Sequence, residues 1–321
     1  MRTRVVAPSE AAIAAAAATL RAGGLVGMPT ETVYGLAGDA TSPEAVAAIY
    51  AAKGRPAFNP LIAHVFDVAA ARREAALDAQ AEALAEAFWP GPLTLVAPAA
   101  QGGQVCLLAR AGLATIALRA PAHPVARALI GAVGRPLAAP SANLSGRVSP
   151  TTAAHVLGDL EGRVVWLIDG GPARHGLEST IVACLGGPPT LLRPGAIPAE
   201  AIARALGREL AAPAAQALLA PGMLASHYAP RAALRLGAGW LEAGEIGLDF
   251  AASMRGDATL DLSPAGDLAQ AAARLYDYLR RLDATGAAAI AVAPIPEMGL
   301  GAAINDRLRR AAAPRSPAPG K

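Results

Sequence analysis

Apolar residues along this chain fall into two rhythms that take turns. Short apolar runs close at proline, glycine or a polar cluster: 25–28, 61–66, 93–97, 115–119, 137–139, 164–168, 180–184 and 191–193. Runs of that length with such stops read as strands. Between them lie longer segments with helix-start residues, at 9–22, from Ser42–Pro43 to Gly54, 78–88, 124–133 and 198–206. Ser9, Ser42 and either Thr151 or Thr152 stand where an N-cap belongs. Strands alternating with helices require an α/β fold, and the irregular order predicts a mixed, twisted sheet. This first domain spans 1–207. Residues 208–233 dissolve into Ala, Pro and Gly and read as a linker. A second, small Rossmann-like α/β domain follows at 234–313. Its strands are expected at 234–236, 245–250, 259–262 and 288–293, with helices at 266–283 and 300–312. Residues 314–321 read as a tail.

Bulk properties narrow the function. Of 321 residues 54% are hydrophobic and only 4% aromatic, so the core rests on Leu, Val, Ile and Ala. The formal charge of +3 permits contact with a polyanion such as ATP or RNA without demanding it. Cys106 and Cys184 lie far apart among apolar residues, which excludes a disulfide framework or zinc spacing and fits a reducing cytoplasm. Ala14 to Ala18 follows Arg2 and Arg4, but Glu10 precedes it, so the segment reads as a capped helix rather than a leader. No apolar run reaches the length of a membrane span.

Familiar nucleotide and metalloprotease motifs are missing: there is no G-x-x-x-x-G-K-[ST], no G-x-G-x-x-G and no H-E-x-x-H. Any ligand site must therefore be assembled by the fold. Three segments carry suitable groups. Thr30-Glu31-Thr32-Val33-Tyr34-Gly35 follows a strand, where α/β proteins place ligands. Lys53-Gly54-Arg55 puts two cations at a helix end, either to hold phosphate or to offset the helix dipole. Lys53 stands out because the only other lysine is Lys321. Ser141-Ala142-Asn143 offers short polar groups in a proline-bounded loop, either for a ligand or for the turn itself. Along 115–119, period two puts Thr115, Ala117 and Arg119 on one face.

In combination these segments say more. T-E-T-V-Y-G-L, K-G-R, Asn59-Pro60-Leu61-x-x-His64 and S-A-N, in this order, resemble the YrdC-like family of threonylcarbamoyl-AMP synthases. The resemblance continues through Trp89-Pro90-Gly91-Pro92-Leu93-Thr94, Arg119-Ala120-Pro121, Glu178-Ser179-Thr180-Ile181 and Leu192-Arg193-Pro194-Gly195. Ser226-His227-Tyr228-Ala229-Pro230 and 300–310 resemble the linker and the end of the extra domain in the family's long form.

The resemblance implies a nucleotidyltransferase that makes L-threonylcarbamoyladenylate and pyrophosphate from L-threonine, bicarbonate and ATP with Mg2+. A downstream complex would move the threonylcarbamoyl group to tRNA. By resemblance Lys53 and Arg55 hold the triphosphate with Arg193, while Asn59, Thr115, Ser141, Asn143 and Ser149 line the nucleotide side. Thr32, His64, Arg119, Ala139 (through its backbone) and Ser179 hold threonine. Arg119 suits the carboxylate because a guanidinium pairs with it in a planar fork. Magnesium is expected to arrive on ATP, with no all-protein metal site. His227 and Tyr228, within 221–230, are expected to form a lid. Two rivals are a hydrogenase-maturation carbamoyltransferase, whose zinc and acylphosphatase modules this chain lacks, and a non-catalytic RNA-binding relative.

Overall fold

The computed structural model describes residues 2–212, 227–255 and 260–314. The first unit contains, in chain order, β1 (Arg4–Val6), α1 (Glu10–Arg21), β2 (Val26–Met28), β3 (Gly35–Asp39), α2 (Pro43–Lys53) and β4 (Ile62–His64). It continues with α3 (Val68–Glu74), α4 (Ala79–Phe88), β5 (Leu93–Pro98), β6 (Thr115–Arg119), α5 (Pro124–Val133) and β7 (Leu137–Ala138). It ends with α6 (Ala153–Leu160), β8 (Trp166–Ile168), β9 (Thr180–Ala183), β10 (Thr190–Arg193) and α7 (Ala199–Leu206). The strands join in one ten-stranded sheet of order β1-β8-β2-β3-β7-β4-β6-β5-β9-β10. It is mixed, as expected: β4 runs parallel to β6, for example, and β7 antiparallel to β4.

Caps set the helix starts. Ser9 Oγ accepts from Ala12 N and Ser42 Oγ from Ala45 N, both at 3.1 Å. Thr152, not Thr151, caps α6, with its hydroxyl accepting from His155 N. Gly54 ends α2 in the left-handed region, at φ 59°, which a side chain would resist. The face of α2 expected to be apolar is buried through Val46, Ile49 and Tyr50.

Three elements have no counterpart in the sequence reading: β1, β3 and α3. β3 is the instructive one. Gly35 and Gly38 dilute its strand signal, yet it lies buried between β2 and β7. A Cβ on Gly38 would press within 3.0 Å of Ile49, so the glycine is what lets α2 pack on the sheet.

The second unit holds β11 (Ala233–Leu236), β12 (Glu245–Asp249), β13 (Leu260–Asp261), α8 (Leu268–Ala284), β14 (Ala289–Val292) and α9 (Leu300–Ala312). Its four strands are all parallel, in the order β11-β14-β12-β13. The two units share apolar packing. Val33, Val148 and Leu177 of the first belong to the same buried cluster as Tyr228, Leu275, Tyr276 and Ile304. Gly176 lies so close to α8 that any Cβ would strike the backbone of Ala272 and Ala273. Within the expected linker, Ala211 bonds β10 through Leu191 N, and residues 227–233 run between the units. Residues 221–226 of the expected lid, residue 259 of an expected strand and 315–321 of the tail lie outside the described residues. Among the described residues no helix is long and apolar enough to cross a membrane.

Candidate active site

Strand register builds one wall of a cleft. β4 and β6 pair so that His64 lies opposite Arg119, and β7 brings Ala139 alongside, its N–H donating to Ile62 O at 3.2 Å. The β2–β3 connection folds over this wall. Thr30 Oγ1 donates to Val33 O at 2.6 Å and accepts from Thr32 N at 3.2 Å, fixing a tight turn. Thr32 and Glu31 then face Arg119. The guanidinium donates to Glu31 Oε1 at 2.6 Å, to Thr32 Oγ1 at 2.9 Å and to Gly91 O at 3.3 Å.

This pair is out of water, with side chains 5% and 8% exposed. Burial alone would raise the Glu31 carboxyl, but Arg119 outweighs it and holds the group at about 2. His64 is driven the other way. Burial first, then the positive charge of Arg119, pushes it down to about 3, so its imidazole is neutral near pH 7. Its Nδ1 has no hydrogen-bond partner in the structure.

The opposite wall carries cations. Arg193 donates from Nε and Nη2 to Ser179 O, at 3.1 and 2.8 Å, and from Nη2 to Ser179 Oγ at 3.1 Å. Ser179 Oγ also shares a 2.7 Å hydrogen bond with Thr94 Oγ1. Arg55 leans on the chain after α2, donating to Asn59 O at 3.2 Å and Pro60 O at 2.9 Å. Burial lowers Arg55 to about 10 and lowers Arg193 as well. Two desolvated guanidinium groups on one wall favour an anionic ligand.

Ten of the expected residues line a single narrow cavity of about 50 Å3: Thr32, Arg55, His64, Arg119, Ala139, Ser141, Ser179, Arg193, His227 and Tyr228. Lys53, Asn59, Thr115, Asn143 and Ser149 stand outside that lining. Lys53 is only 2% exposed, and its ammonium donates to Ser141 O and to Asn143 O and Oδ1. It therefore braces the S-A-N loop from below in this conformation. Asn143 Nδ2 is spent on the carbonyls of Leu144 and Arg147. Asn59 is buried with Oδ1 unpartnered. Thr115 shares the face of Arg119 but lies four residues back along β6, roughly 13 Å at a strand's usual rise.

Ser149 leads to a residue whose role the sequence reading missed. Its Oγ donates to Glu178 Oε1 at 2.5 Å, and Glu178 faces the cleft. The other oxygen, Oε2, accepts from Tyr276 OH and Arg307 Nε, both at 2.8 Å. Glu31, Tyr276 and Arg307 were likewise missed. For Glu31 and Glu178 the signal was present: each stands inside a quoted motif beside a residue that was chosen. Tyr276 and Arg307 lie about a hundred residues from Glu178 along the chain. Only the docked second unit brings them there.

Among the described residues no group of three or more His, Cys, Asp or Glu is gathered as a metal site.

His227 and Tyr228 close the cleft on the side of the second unit. His227 N donates to Arg310 O at 3.2 Å, and Ala229 N donates to Gly146 O at 2.9 Å. The strap is thus tied at one end to α9 and at the other to the loop that follows Ser141–Asn143. Burial pushes the His227 imidazole down to about 3, so it too is neutral near pH 7.

Fold and cleft together define an α/β protein that places paired arginines and a row of hydroxyls around one cleft, under a strap from a second domain. The comparisons narrow this class. Residues 18–195 match a family model described as "Telomere recombination", and 197–313 match one described as "Threonylcarbamoyl-AMP synthase, C-terminal domain". The threonylcarbamoyl-AMP synthase of Pyrococcus abyssi is 42% identical, over 92% of this chain and 92% of its own length. That of Bacillus subtilis is 40% identical, over 94% and 93%. The solved structure of P. abyssi Sua5 complexed with L-threonine superposes with a TM-score of 0.87 at 38% identity, covering 97% of both chains. The chain belongs to the threonylcarbamoyl-AMP synthase family.

Proposed function

We infer that this protein is an L-threonylcarbamoyladenylate synthase, consuming L-threonine, bicarbonate and ATP and releasing pyrophosphate. The observation that carries the reading is the single cleft in which Arg119, His64, Thr32 and Ser179 face Arg55 and Arg193. The first set suits an amino acid and the second a polyphosphate. Arg119 keeps N–H groups beyond those spent on Glu31, Thr32 and Gly91, since a guanidinium has five. These take the threonine carboxylate. His64, held neutral at about 3, is too weak a base for the threonine ammonium and lines the pocket as an uncharged ring. The ammonium gives its proton to solvent, and the free amine attacks the bicarbonate carbon, with water leaving.

The resulting carbamate oxygen attacks the α-phosphorus of ATP, and the bond to pyrophosphate breaks. No enzyme nucleophile is required. The protein's share is positioning and charge stabilisation by Arg55 and Arg193, with Lys53 holding Ser141 and Asn143 against the nucleotide. Asn59, Thr115 and Ser149 are assigned to the nucleotide side. Magnesium enters on the triphosphate. His227 and Tyr228 keep water from the carbamoyl-adenylate. The product passes to a transfer complex that modifies tRNA in the cytoplasm.

The test is pyrophosphate release from ATP and magnesium, leaving out threonine and bicarbonate in turn. Release that needs both, with a threonylcarbamoyl-adenylate mass in the products, supports the reading. No release under any condition, with RNA still bound, moves the protein to the RNA-binding class.

A further inference from the structure

Arg307 is the largest side chain on α9 to be fully enclosed, with no exposed side-chain surface. An arginine almost never goes there without partners. Nη1 donates to Asp306 Oδ2 at 2.5 Å on α9 itself, and the other contacts lead toward the cleft. Nε donates to Glu178 Oε2 at 2.8 Å, and Nη2 donates to Pro194 O at 2.9 Å, one residue past Arg193. Its guanidinium carbon lies 5.1 Å from the centre of the Tyr228 ring. Tyr276, from α8, stacks on Tyr228 with centroids 5.7 Å apart and donates its hydroxyl to Glu178. Tyr228 itself has a backbone φ of 62°, a region a bulky residue keeps only where its surroundings impose it.

Glu178 is continuous with the reacting end of the site. Its neighbour Ser179 holds Arg193, and its Oε1 holds Ser149. Gly195 seals the arrangement, since a Cβ there would collide with the backbone of Glu178, Ser179 and Thr180.

We propose that Arg307 and Tyr276 are positioning residues of the synthase site, through which the second domain sets Glu178, the Ser179–Arg193 pair and the Tyr228 strap. The first domain is thus incomplete without the second: it supplies Glu178 and the Ser149 partner of Oε1, but not the two groups that hold Oε2. The inference rests on the proposed function and deepens it. Arg307 touches no substrate; it acts through Glu178, Pro194 and Tyr228. Breaking it has two consequences. Arg193 loses its fixed seat, so ATP is held less well. The strap loosens over the carbamoyl-adenylate, so more ATP is hydrolysed for each product formed.

The experiment uses the full-length protein and compares wild type with R307M, R307K, Y276F and the surface control R309A. Arg309 is exposed and paired only with Glu297. Kinetic constants for ATP and threonine are measured together with ATP hydrolysed per threonylcarbamoyl-adenylate, and folding is followed by thermal melting. Misplacement of reacting groups costs up to about 100-fold, so kcat/KM for ATP in R307M is expected to fall 10- to 100-fold, with excess hydrolysis. R307K, which restores the charge, recovers part of that loss. R309A matches wild type. Y276F shows excess hydrolysis with a native melt.

A folded R307M with wild-type kcat/KM and coupling overturns the inference. So does a melting temperature that falls while both kinetic readouts stay unchanged. Should R307M not fold, Y276F decides alone: wild-type coupling in Y276F overturns the inference. A wild-type protein that makes no threonylcarbamoyl-adenylate overturns the proposed function instead.

Discussion

Two buried arginine–glutamate pairs stand at opposite ends of the cleft, and they are built the opposite way round. In one pair Arg119 faces the cavity and Glu31 stands behind it, 2.6 Å away. At the strap end Glu178 faces the cavity and Arg307 stands behind it, 2.8 Å away. Both carboxyls, which burial alone would raise, are held at about 2, chiefly by the arginine each one faces. The first pair is internal to one domain, joining a turn to a strand. The second crosses between domains. The inner member sets what each end can do. An arginine in the wall offers donors to a substrate carboxylate, whereas a glutamate in the wall, already saturated, organises hydroxyls and arginines around it.

The widest expected difference comes from removing Arg119, the cavity-facing member of the first pair. Truncating one partner of a buried hydrogen-bonded charge pair costs about 2–5 kcal/mol, so Arg119→Ala is expected to lower kcat/KM for threonine by roughly 100-fold or more. ATP binding, read by calorimetry, stays near wild type. The opposite result, lost ATP affinity with normal threonine affinity, breaks the assignment.

Next come the two neutralised carboxylates. Glu31→Gln is expected to weaken threonine alone, by roughly 10-fold, since a hydrogen bond to a charged group contributes about 1.5–3 kcal/mol. Glu178→Gln should raise the KM of both substrates, because its oxygens hold Ser149 on one side and the second domain on the other. Identical kinetic profiles for the two variants would erase the contrast between the two ends.

A narrower effect separates Lys53 from Arg55. Arg55→Ala should impair synthesis through KM for ATP and melt somewhat earlier, since Pro60 O loses its donor while Asn59 O keeps that of Tyr50. Lys53→Ala should impair synthesis and also melt earlier, by the roughly 1–3 kcal/mol that unsatisfied buried carbonyls cost. Near wild-type turnover of both at saturating ATP removes them from triphosphate positioning.

A separate effect, on stability rather than on kinetics, is expected in acid. His64 and His227 sit at about 3 in the fold against 6.5 as the ordinary value. The unfolded chain therefore takes up protons first as pH falls, and stability declines between pH 6.5 and 3. Glu31 and Glu178, moved from 4.5 to about 2, add a second decline below pH 4.5. Denaturant midpoints across pH 7 to 4 should fall, and His64→Gln should flatten the upper part of that slope. A flat profile in wild type would mean that neither histidine is held neutral.

Much of this was legible before any coordinates. Proline and glycine stops and capping residues marked most elements, because those effects act within a few residues of chain. Motif order led to Arg55, His64, Arg119, Ser179 and Arg193, all of which line the cavity. What was not legible has a common cause. β3 is a strand only because β2 and β7 flank it and Ile49 leaves no room for a side chain at Gly38. Thr115 looked close to Arg119 because they share a strand face, but period two sets direction and not distance.

The sequence by itself determined the α/β class, the two-domain plan and the chemical kind of the site, because caps, turns and strand periodicity are local and a row of motifs carries its own order. Tertiary structure alone decided which charges pair. A buried ion pair forms where two distant segments are pressed together out of water, and no local pattern records that Glu178 awaits Arg307, 129 residues further on.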